Sequence, residues 1–214
     1  VGSEMCIRDR YNLKNAHYAL LTVGEDGAVS YAAQVPLPGA VSLSLDANGE
    51  PENFYADGIA YYVINNNMGY DGDLELALIP ESFRTDVLRE KLDAKGVLIE
   101  NSDAELALFA LLFEFDGDVR HIRHVMYNCS ASRPKIEGKT NEEKKEVQTE
   151  TLTIKATPLS DGKVKAKTGN TTDATVYADW YKSVYLPAAD PVSLQASDSG
   201  KSVVDASGNG KALS

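Results

Sequence analysis

The pattern of apolar and polar residues predicts β-strands along most of the chain, and it is strongest between residues 104 and 157. Ala104–Phe115 is apolar at both odd and even positions, which is typical of a strand covered on both faces. The pair Asp116-Gly117 follows, and Val119–Cys129 is a second β-prone run of mixed polarity. Two such runs around an Asp-Gly pair predict a hairpin whose first strand lies between two layers and whose second strand is partly solvated.

A charged segment follows this hairpin. Arg133–Glu146 contains almost no core-forming residues, whereas Leu152, Ile154 and Ala156 alternate with polar residues in Val147–Thr157, the period of a half-buried strand. We therefore predict a long hairpin arm that leaves its own domain and serves as a contact device, because structureless loops beyond ~12 residues are usually functional or disordered. A solvated loop of mixed charge is the alternative interpretation. The candidate contact residues of the arm are Arg133, Lys135, Lys139, Glu142, Glu143, Lys144 and Lys145.

The rest of the chain contains further short β-prone runs and one stretch of helical period. Residues 81–92 place Phe83, Val87 and Leu88 on one helical face, with Gly96 beyond the end. The other predicted elements are a hairpin over 16–33, a strand over 40–46 with Val41, Leu43 and Leu45 on one face, an aromatic run over 54–64 of unassigned pairing, a strand over 74–79 after Asp71-Gly72-Asp73, and a short helix within 175–186. The predicted fold class is mainly β: a sandwich or barrel of antiparallel strands with one flanking α-helix and the long charged hairpin arm.

The length and composition of the chain indicate how many domains it forms and where they end. A chain of 214 residues buries roughly 70% of its unfolded surface, so one globular domain is the first expectation. We predict that residues 1–10 translate a sequencing adapter and are not native, that 11–187 form the β domain, and that 188–214, rich in Ala, Ser, Asp and Gly, form a flexible tail. Without residues 1–10, Cys129 is the only thiol, which suits a reducing cytoplasm.

The charge balance limits the partners. The formal net charge of −11 argues against a nucleic-acid-binding protein that contacts phosphates through Lys and Arg. It is consistent with a surface that repels a polyanion. No apolar run approaches the ~18 residues of a membrane-spanning helix. The sequence predicts no membrane association and no export signal.

The sequence contains little that predicts catalysis. His121, His124 and Cys129 have the spacing nearest to a metal site, but residues 121 and 124 of a strand point to opposite faces. Cys129 lacks a recognisable base and orienting group for nucleophilic catalysis. We therefore predict no enzyme, no cofactor and no metal.

Once the strands, the helix and the charged arm are placed, the residues resemble a known family. The chain resembles the major tail protein, or tail-tube subunit, of long non-contractile-tailed bacteriophages from about Leu13 to Pro187. The resemblance rests on stretches that are collectively more specific than any one of them, namely 13–19 (LKNAHYA), 96–101 (GVLIEN), 127–129 (YNC), 148–154 (QTETLTI) and Trp180-Tyr181.

The resemblance implies a β-sandwich or barrel subunit that assembles into hexameric rings, which stack as a hollow tube through which DNA passes during ejection. It implies that the subunit is made in the bacterial host cytoplasm and resides in the virion tail. The expected partners are further copies of itself, a tape measure protein in the lumen, and the tail terminator and distal tail proteins. The arm would reach a neighbouring ring or subunit, and a negative lumen would prevent DNA from sticking.

Two other interpretations compete with the tail tube. One is a monomeric β-sandwich that binds a carbohydrate or protein ligand and presents Tyr55, Tyr61, Tyr62 and Tyr70 as a stacking platform, although such Tyr residues more commonly pack in cores. The other is a tube subunit of a contractile tail or injection machine, which the sequence separates poorly from a non-contractile one. A hydrolase is the least favoured interpretation, because the sequence shows no pair of a nucleophile and a general base.

Overall fold

The computed structural model describes residues 11–25, 27–49, 52–56, 59–64, 66–116, 121–136, 138, 148–187, 195–196, 202–204 and 210–212. The chain divides into two compact units, Val1–Val184 and Tyr185–Ser214. The predicted boundaries at residues 10 and 187 remain predictions, and residues 1–10 lie outside the described part of the chain.

The first unit is built mainly from strands. Its strands are β1 (Tyr11–Val23), β2 (Val29–Tyr31), β3 (Val35–Pro36), β4 (Ala40–Asn48), β5 (Glu52–Ala56), β6 (Ile59–Ile64), β7 (Gly69–Leu76), β8 (Lys91–Leu92), β9 (Leu98–Ile99), β10 (Phe109–Asp116), β11 (Arg123–Ala131), β12 (Glu150–Ala156) and β13 (Lys165–Lys167). Its helices are α1 (Glu81–Asp86) and α2 (Ala174–Asp179). The second unit has β14 (Gln195–Ala196), β15 (Ser202–Val204) and β16 (Gly210–Ala212), which pair as an antiparallel sheet. The flexibility predicted for residues 188–214 stays a prediction.

One large antiparallel sheet organises the first unit, which confirms the predicted mainly β class. Its strand order is β2-β1-β10-β11-β12-β7-β4, with β3 beside β1 and β13 beside β11. The strands described here do not close this sheet into a barrel. Two hairpins, β5-β6 and β8-β9, form small separate sheets.

Strand β10 is buried on both faces, as its uninterrupted apolar sequence predicted. Phe109, Leu111 and Phe113 face one hydrophobic core, whereas Ala110 and Leu112 alternate with them and point to the opposite face. The strand therefore requires a covering layer on each side. Its antiparallel register with β11 also confirms the predicted hairpin partners, although the turn at 117–120 lies outside the described residues.

Helix α1 contributes to the cover on the first face. Phe83 is fully buried and makes edge-to-face contacts with Tyr18 at 5.2 Å and with Phe109 at 5.4 Å between ring centroids. The helix is shorter than predicted, because Arg89 adopts a left-handed φ of 59° and the chain then enters β8. The side chain of Leu92 is consequently 51% exposed.

The α2 segment, together with Leu159, covers the second face beside β10, whereas β13 continues the sheet. The buried apolar residues outside the first core are Ala19, Ala110, Leu112, Val125, Tyr127, Leu159, Trp180 and Val184. Gln34 Nε2 donates a hydrogen bond of 3.0 Å to the Trp180 carbonyl, and the His17 and Tyr181 rings lie 4.9 Å apart. These contacts hold the covering segment against the sheet.

The β11-β12 pair confirms the strands that flank the predicted arm. Cys129, Ser130 and Ala131 pair with Ala156, Lys155 and Ile154 in an antiparallel register. Residues 137 and 139–147 of the predicted arm lie outside the described part of the chain.

Gly72 allows β4 to approach β7 closely, and we predict that Gly72→Ala disrupts this edge of the sheet. A Cβ atom on Gly72 would lie 1.8 Å from the Ser44 carbonyl oxygen, so the backbone of β4 would have to move. We expect the free energy of unfolding, measured by urea denaturation, to fall by roughly 3 kcal/mol.

Gly169→Ala is the matched control, because a Cβ atom there has no neighbour within 4 Å. Its unfolding free energy should stay within about 0.5 kcal/mol of the wild type. Equal stability of the two variants would contradict the close approach at Gly72.

Candidate functional site

The most distinctive surface of the first unit is the uncovered face of β12, β7 and β4. The core side of these strands carries buried residues such as Leu74 and Ile154, and the opposite side carries polar residues at every alternate position. The outward-facing residues are Thr151, Thr153 and Lys155 on β12, Asp71, Asp73 and Glu75 on β7, and Ser42, Ser44 and Asp46 on β4. We call this set the acidic face.

The strand register arranges the acidic face in three cross-strand rows. Glu75 lies between Thr151 and Ser42, and in the second row Asp73 lies between Thr153 and Ser44. In the third row, given by the same registers, β7 places Asp71 between Lys155 and Asp46. The acids therefore form a continuous column on β7, with hydroxyl groups on both sides of Glu75 and Asp73.

Hydroxyl donors orient two of these carboxylates. Glu75 accepts hydrogen bonds from Thr149 Oγ1 at 2.5 Å and from Ser42 Oγ at 2.8 Å. These two bonds, the one from Thr149 first, hold the pKa of Glu75 below its ordinary value. Asp73 accepts from Thr153 Oγ1 at 2.9 Å. The carboxylates of Glu75 and Asp73 are thus fixed in place and presented to solvent.

The same face has a large excess of negative charge. Lys155 is the only cationic residue in the three strands, against four carboxylates in the rows. Asp46 and Asp71 are directly opposite each other on neighbouring strands, an arrangement that disfavours pairing of the strands. Asn48 Nδ2 donates to Asp71 at 2.9 Å.

A buried polar cluster marks the boundary of the covering segment on the other half of the sheet. Glu114, with a side chain only 8% exposed, contacts Arg123 Nε at 3.2 Å and accepts hydrogen bonds from Asn15 Nδ2 at 2.5 Å and the Tyr181 hydroxyl at 3.2 Å. The Arg123 guanidinium lies 3.9 Å from the Tyr177 ring centroid. Burial first, and then the Glu114 charge, raises the pKa of Tyr181. The cluster ties the α2 segment to β10 and β11.

The base of the predicted contact arm makes contacts within its own chain. Arg133 Nε lies 3.0 Å from Glu100 Oε1, and its guanidinium approaches the Asn101 carbonyl at 3.5 Å. Lys135 is solvent-exposed, and the side chain of Ile136 is 98% exposed. The other candidate residues, Lys139, Glu142, Glu143, Lys144 and Lys145, lie outside the described residues.

The residues closest to a metal or nucleophilic site occupy separate environments. His121 Nδ1 lies 3.4 Å from Asp116 Oδ1, whereas the His124 ring stacks on Phe113 at 5.1 Å between centroids. Cys129 is fully buried, and burial raises the pKa of its thiol to about 12. Within the described ranges, no group of three or more His, Cys, Asp or Glu side chains is arranged to hold a metal ion.

The aromatic platform of the ligand-binding interpretation is only partly described. Tyr70 is half-buried against the first core, and Lys165 Nζ lies 4.3 Å from its ring centroid. The side chains of Tyr55, Tyr61 and Tyr62 lie outside the described residues. The one described member of the platform therefore has the surroundings of a packed residue.

No helix in the described parts of the chain is long and apolar enough to cross a membrane.

Comparisons with known proteins give weak similarity to solved structures. No family model matches the sequence, and no curated protein matches it. Among solved structures, the chain is similar to a chain of the cryo-EM structure of the anti-feeding prophage cap, described as the tube terminating cap. That alignment has 9% identity and a TM-score of 0.39, and it covers 78% of this chain and 99% of the other. A similarity with so low an identity and TM-score does not identify a function.

We predict that Glu114→Ala destabilises the first unit, because it leaves the Arg123 guanidinium partly buried without its carboxylate. The free energy of unfolding should fall by roughly 3 kcal/mol in urea denaturation. Lys182→Ala is the control, since it removes an ion pair with Asp179 whose side chains are 75% and 55% exposed. That variant should show no measurable change, and a comparable loss in both variants would contradict the anchoring role of Glu114.

The buried thiol of Cys129 predicts a loss of stability at alkaline pH. The folded state keeps this thiol protonated while the unfolded chain ionises it, so the folded state binds more protons. Its stabilising contribution is complete below the ordinary thiol pKa and declines by about 1.4 kcal/mol per pH unit above it. Urea denaturation across alkaline pH should show a shallower decline for Cys129→Ala, and identical slopes would contradict the assignment.

Proposed function

We propose that this chain is a phage tail structural protein, and more specifically the major tail protein that assembles into hexameric rings stacked as the tail tube. The tube is the conduit for DNA ejection. The observation that carries the proposal is the acidic face: an ordered column of exposed and half-buried carboxylates on the outer face of β7. The sequence resemblance to major tail proteins of long non-contractile-tailed phages supports the same assignment.

The acidic face suits the wall of a channel for DNA. Phosphates are repelled by a surface of like charge, and no Lys or Arg cluster on this face offers the phosphate contacts that would retain DNA. The oriented carboxylates of Asp73 and Glu75 maintain that charge on a rigid sheet. DNA would therefore pass without sequence-specific binding.

The shape of the sheet suits assembly. Strand β4 ends the described strand order, so its outer edge is available to continue into the sheet of a neighbouring copy. In a closed ring each subunit uses two different surfaces, and the contacts repeat until the circle is complete. The acidic faces of adjacent copies would then form one inner wall.

We assign ring-to-ring or subunit contacts to the arm that begins at Arg133. Its described part presents Lys135 and the almost fully exposed Ile136. Arg133 would hold the base of the arm to its own subunit through Glu100, and the charged residues from Lys139 to Lys145 are the candidate contacts with a neighbour. An exposed apolar residue beside charges suits a surface that is buried on assembly.

The proposal includes the remaining expectations for this family. The subunit has a structural role without catalysis or a cofactor, is made in the host cytoplasm and resides in the virion tail. Its other partners are a tape measure protein in the lumen and the terminator and distal proteins at the tube ends.

Electron microscopy tests the assembly directly. The purified chain, concentrated and seeded with preformed tube ends, should form rings or tubes with a central hole in negative stain and should scatter light accordingly. A sample that stays monomeric under both conditions would contradict the tube assignment and favour the ligand-binding interpretation.

We predict that reversing the charge of the acidic face makes DNA stick to the tube. With four carboxylates and Lys155, the face carries 1 − 4 = −3, and Asp46→Lys with Asp73→Lys gives 3 − 2 = +1. Tubes of this double variant should retain double-stranded DNA in a co-sedimentation assay, with a retention that added salt abolishes. The wild-type tubes should not retain DNA.

The matched control is Asp103→Lys with Glu105→Lys, which makes the same change of charge at exposed positions away from the acidic face. These tubes should behave like the wild type in the DNA assay. Equal DNA retention by the two double variants would show that only net charge matters and would contradict a lumenal acidic face.

A further inference from the structure

The free edges of the main sheet differ in how well they are protected against pairing. Strand β13 is only three residues long and carries Lys165 and Lys167, the kind of charged edge that blocks strand addition. The first half of β1 contains two left-handed residues, Asn12 with φ 59° and Asn15 with φ 49°, and its register with β10 shifts beside both. Such irregularities also prevent another strand from pairing.

Strand β4 lacks these protections. Its pairing with β7 is regular over the seven residues Ser42–Asn48, and the strand contains no Lys, Arg or Pro between Ala40 and Asn48. Among the strands described, none pairs with β4 on the side away from β7. Leu43 and Leu45 on its core side are only half-buried. A long, regular edge with partly exposed apolar residues is a template for a further strand.

The sequence of β4 fits a second copy of itself. When two copies are antiparallel and centred on Ser44, Leu43 of one strand lies opposite Leu45 of the other, and Ser42 lies opposite Asp46. The carboxylate of Asp46 thus meets a hydroxyl donor instead of another acid. Centring the pair on Asp46 would place two carboxylates directly opposite each other, which is unfavourable.

We infer that, before assembly, two copies of this chain pair through the outer edges of β4, antiparallel and across a two-fold axis at Ser44. The contact is isologous, so it closes on itself and leaves no free edge. It covers the outer edge of β4 and buries the half-exposed leucines of both copies. The inference goes beyond the proposed tube, in which the same edge would meet a different surface of a neighbour, and it implies that the dimer must dissociate before a ring forms.

Disulfide trapping tests the position of the two-fold axis. Ser44→Cys, made in the full chain with Cys6→Ser, places two thiols directly opposite each other and should give a covalent dimer on mild oxidation, seen by non-reducing electrophoresis. The buried Cys129 should not interfere. Ser42→Cys would lie opposite Asp46 and should give no homodimeric cross-link, and Thr153→Cys, on the inner strand β12, should give none either.

Charge pairing provides a second test that does not depend on oxidation. Ser44→Lys places two lysines at the axis and should raise the dimer dissociation constant about fivefold or more in sedimentation velocity. Ser44→Glu should have the same effect, and mixing the two variants should restore dimers, because a Lys then meets a Glu. Restoration of this kind requires residue 44 to lie opposite residue 44.

The failure of this inference is distinguishable from the failure of the proposed function. Absence of the Ser44→Cys cross-link together with no restoration on mixing, in variants whose circular dichroism matches the wild type, overturns the β4 dimer. Rings or tubes seen by electron microscopy in the same preparations would leave the tube assignment in place. A cross-linked dimer that forms tubes without first being reduced would overturn the requirement that the dimer dissociates.

Discussion

The structure depends on the burial of β10 on both faces. An extended strand with apolar residues on both faces is stable only between two layers, and the chain supplies α1 on one side and the α2 segment on the other. The second layer covers only the part of the sheet around β10 and β11. The uncovered strands β12, β7 and β4 must therefore present a polar outer face, and in this chain that face is strongly acidic. The proposed function follows from this unequal cover.

The junction between the covered and uncovered halves is maintained by polar contacts rather than by apolar packing alone. Glu114 lies at an outward position in an apolar strand, where an unpaired carboxylate would be costly, and Arg123, Tyr181 and Asn15 satisfy it. Arg123 belongs to β11 and Tyr181 follows α2, and both contact Glu114. The cluster therefore fixes the covering segment relative to the sheet. A fixed boundary leaves the area of the acidic face constant, which a channel wall requires.

Local patterns in the sequence predicted the elements but not their neighbours. The double burial of β10 could be predicted because it depends on periodicity, and the pairing of β11 with β12 could be predicted because these strands follow each other in the sequence. The acidic face could not, because it requires β7 to lie between β4 and β12, which are far apart in sequence. Its signal was present as three alternating triplets, Ser42-Ser44-Asp46, Asp71-Asp73-Glu75 and Thr151-Thr153-Lys155. The early end of α1 at Asp86 also depends on a pairing, that of β8 with β9, which periodicity does not reveal.

The central claim is that the acidic face becomes the inner wall of a tube. A cryo-EM reconstruction of assembled particles tests it most directly, because it locates β7 relative to the tube axis. The account predicts that Asp71, Asp73 and Glu75 line a continuous central channel and that β4 meets a neighbouring subunit at its outer edge. A reconstruction with these carboxylates on the outer surface of the tube, or buried between rings, would contradict the account.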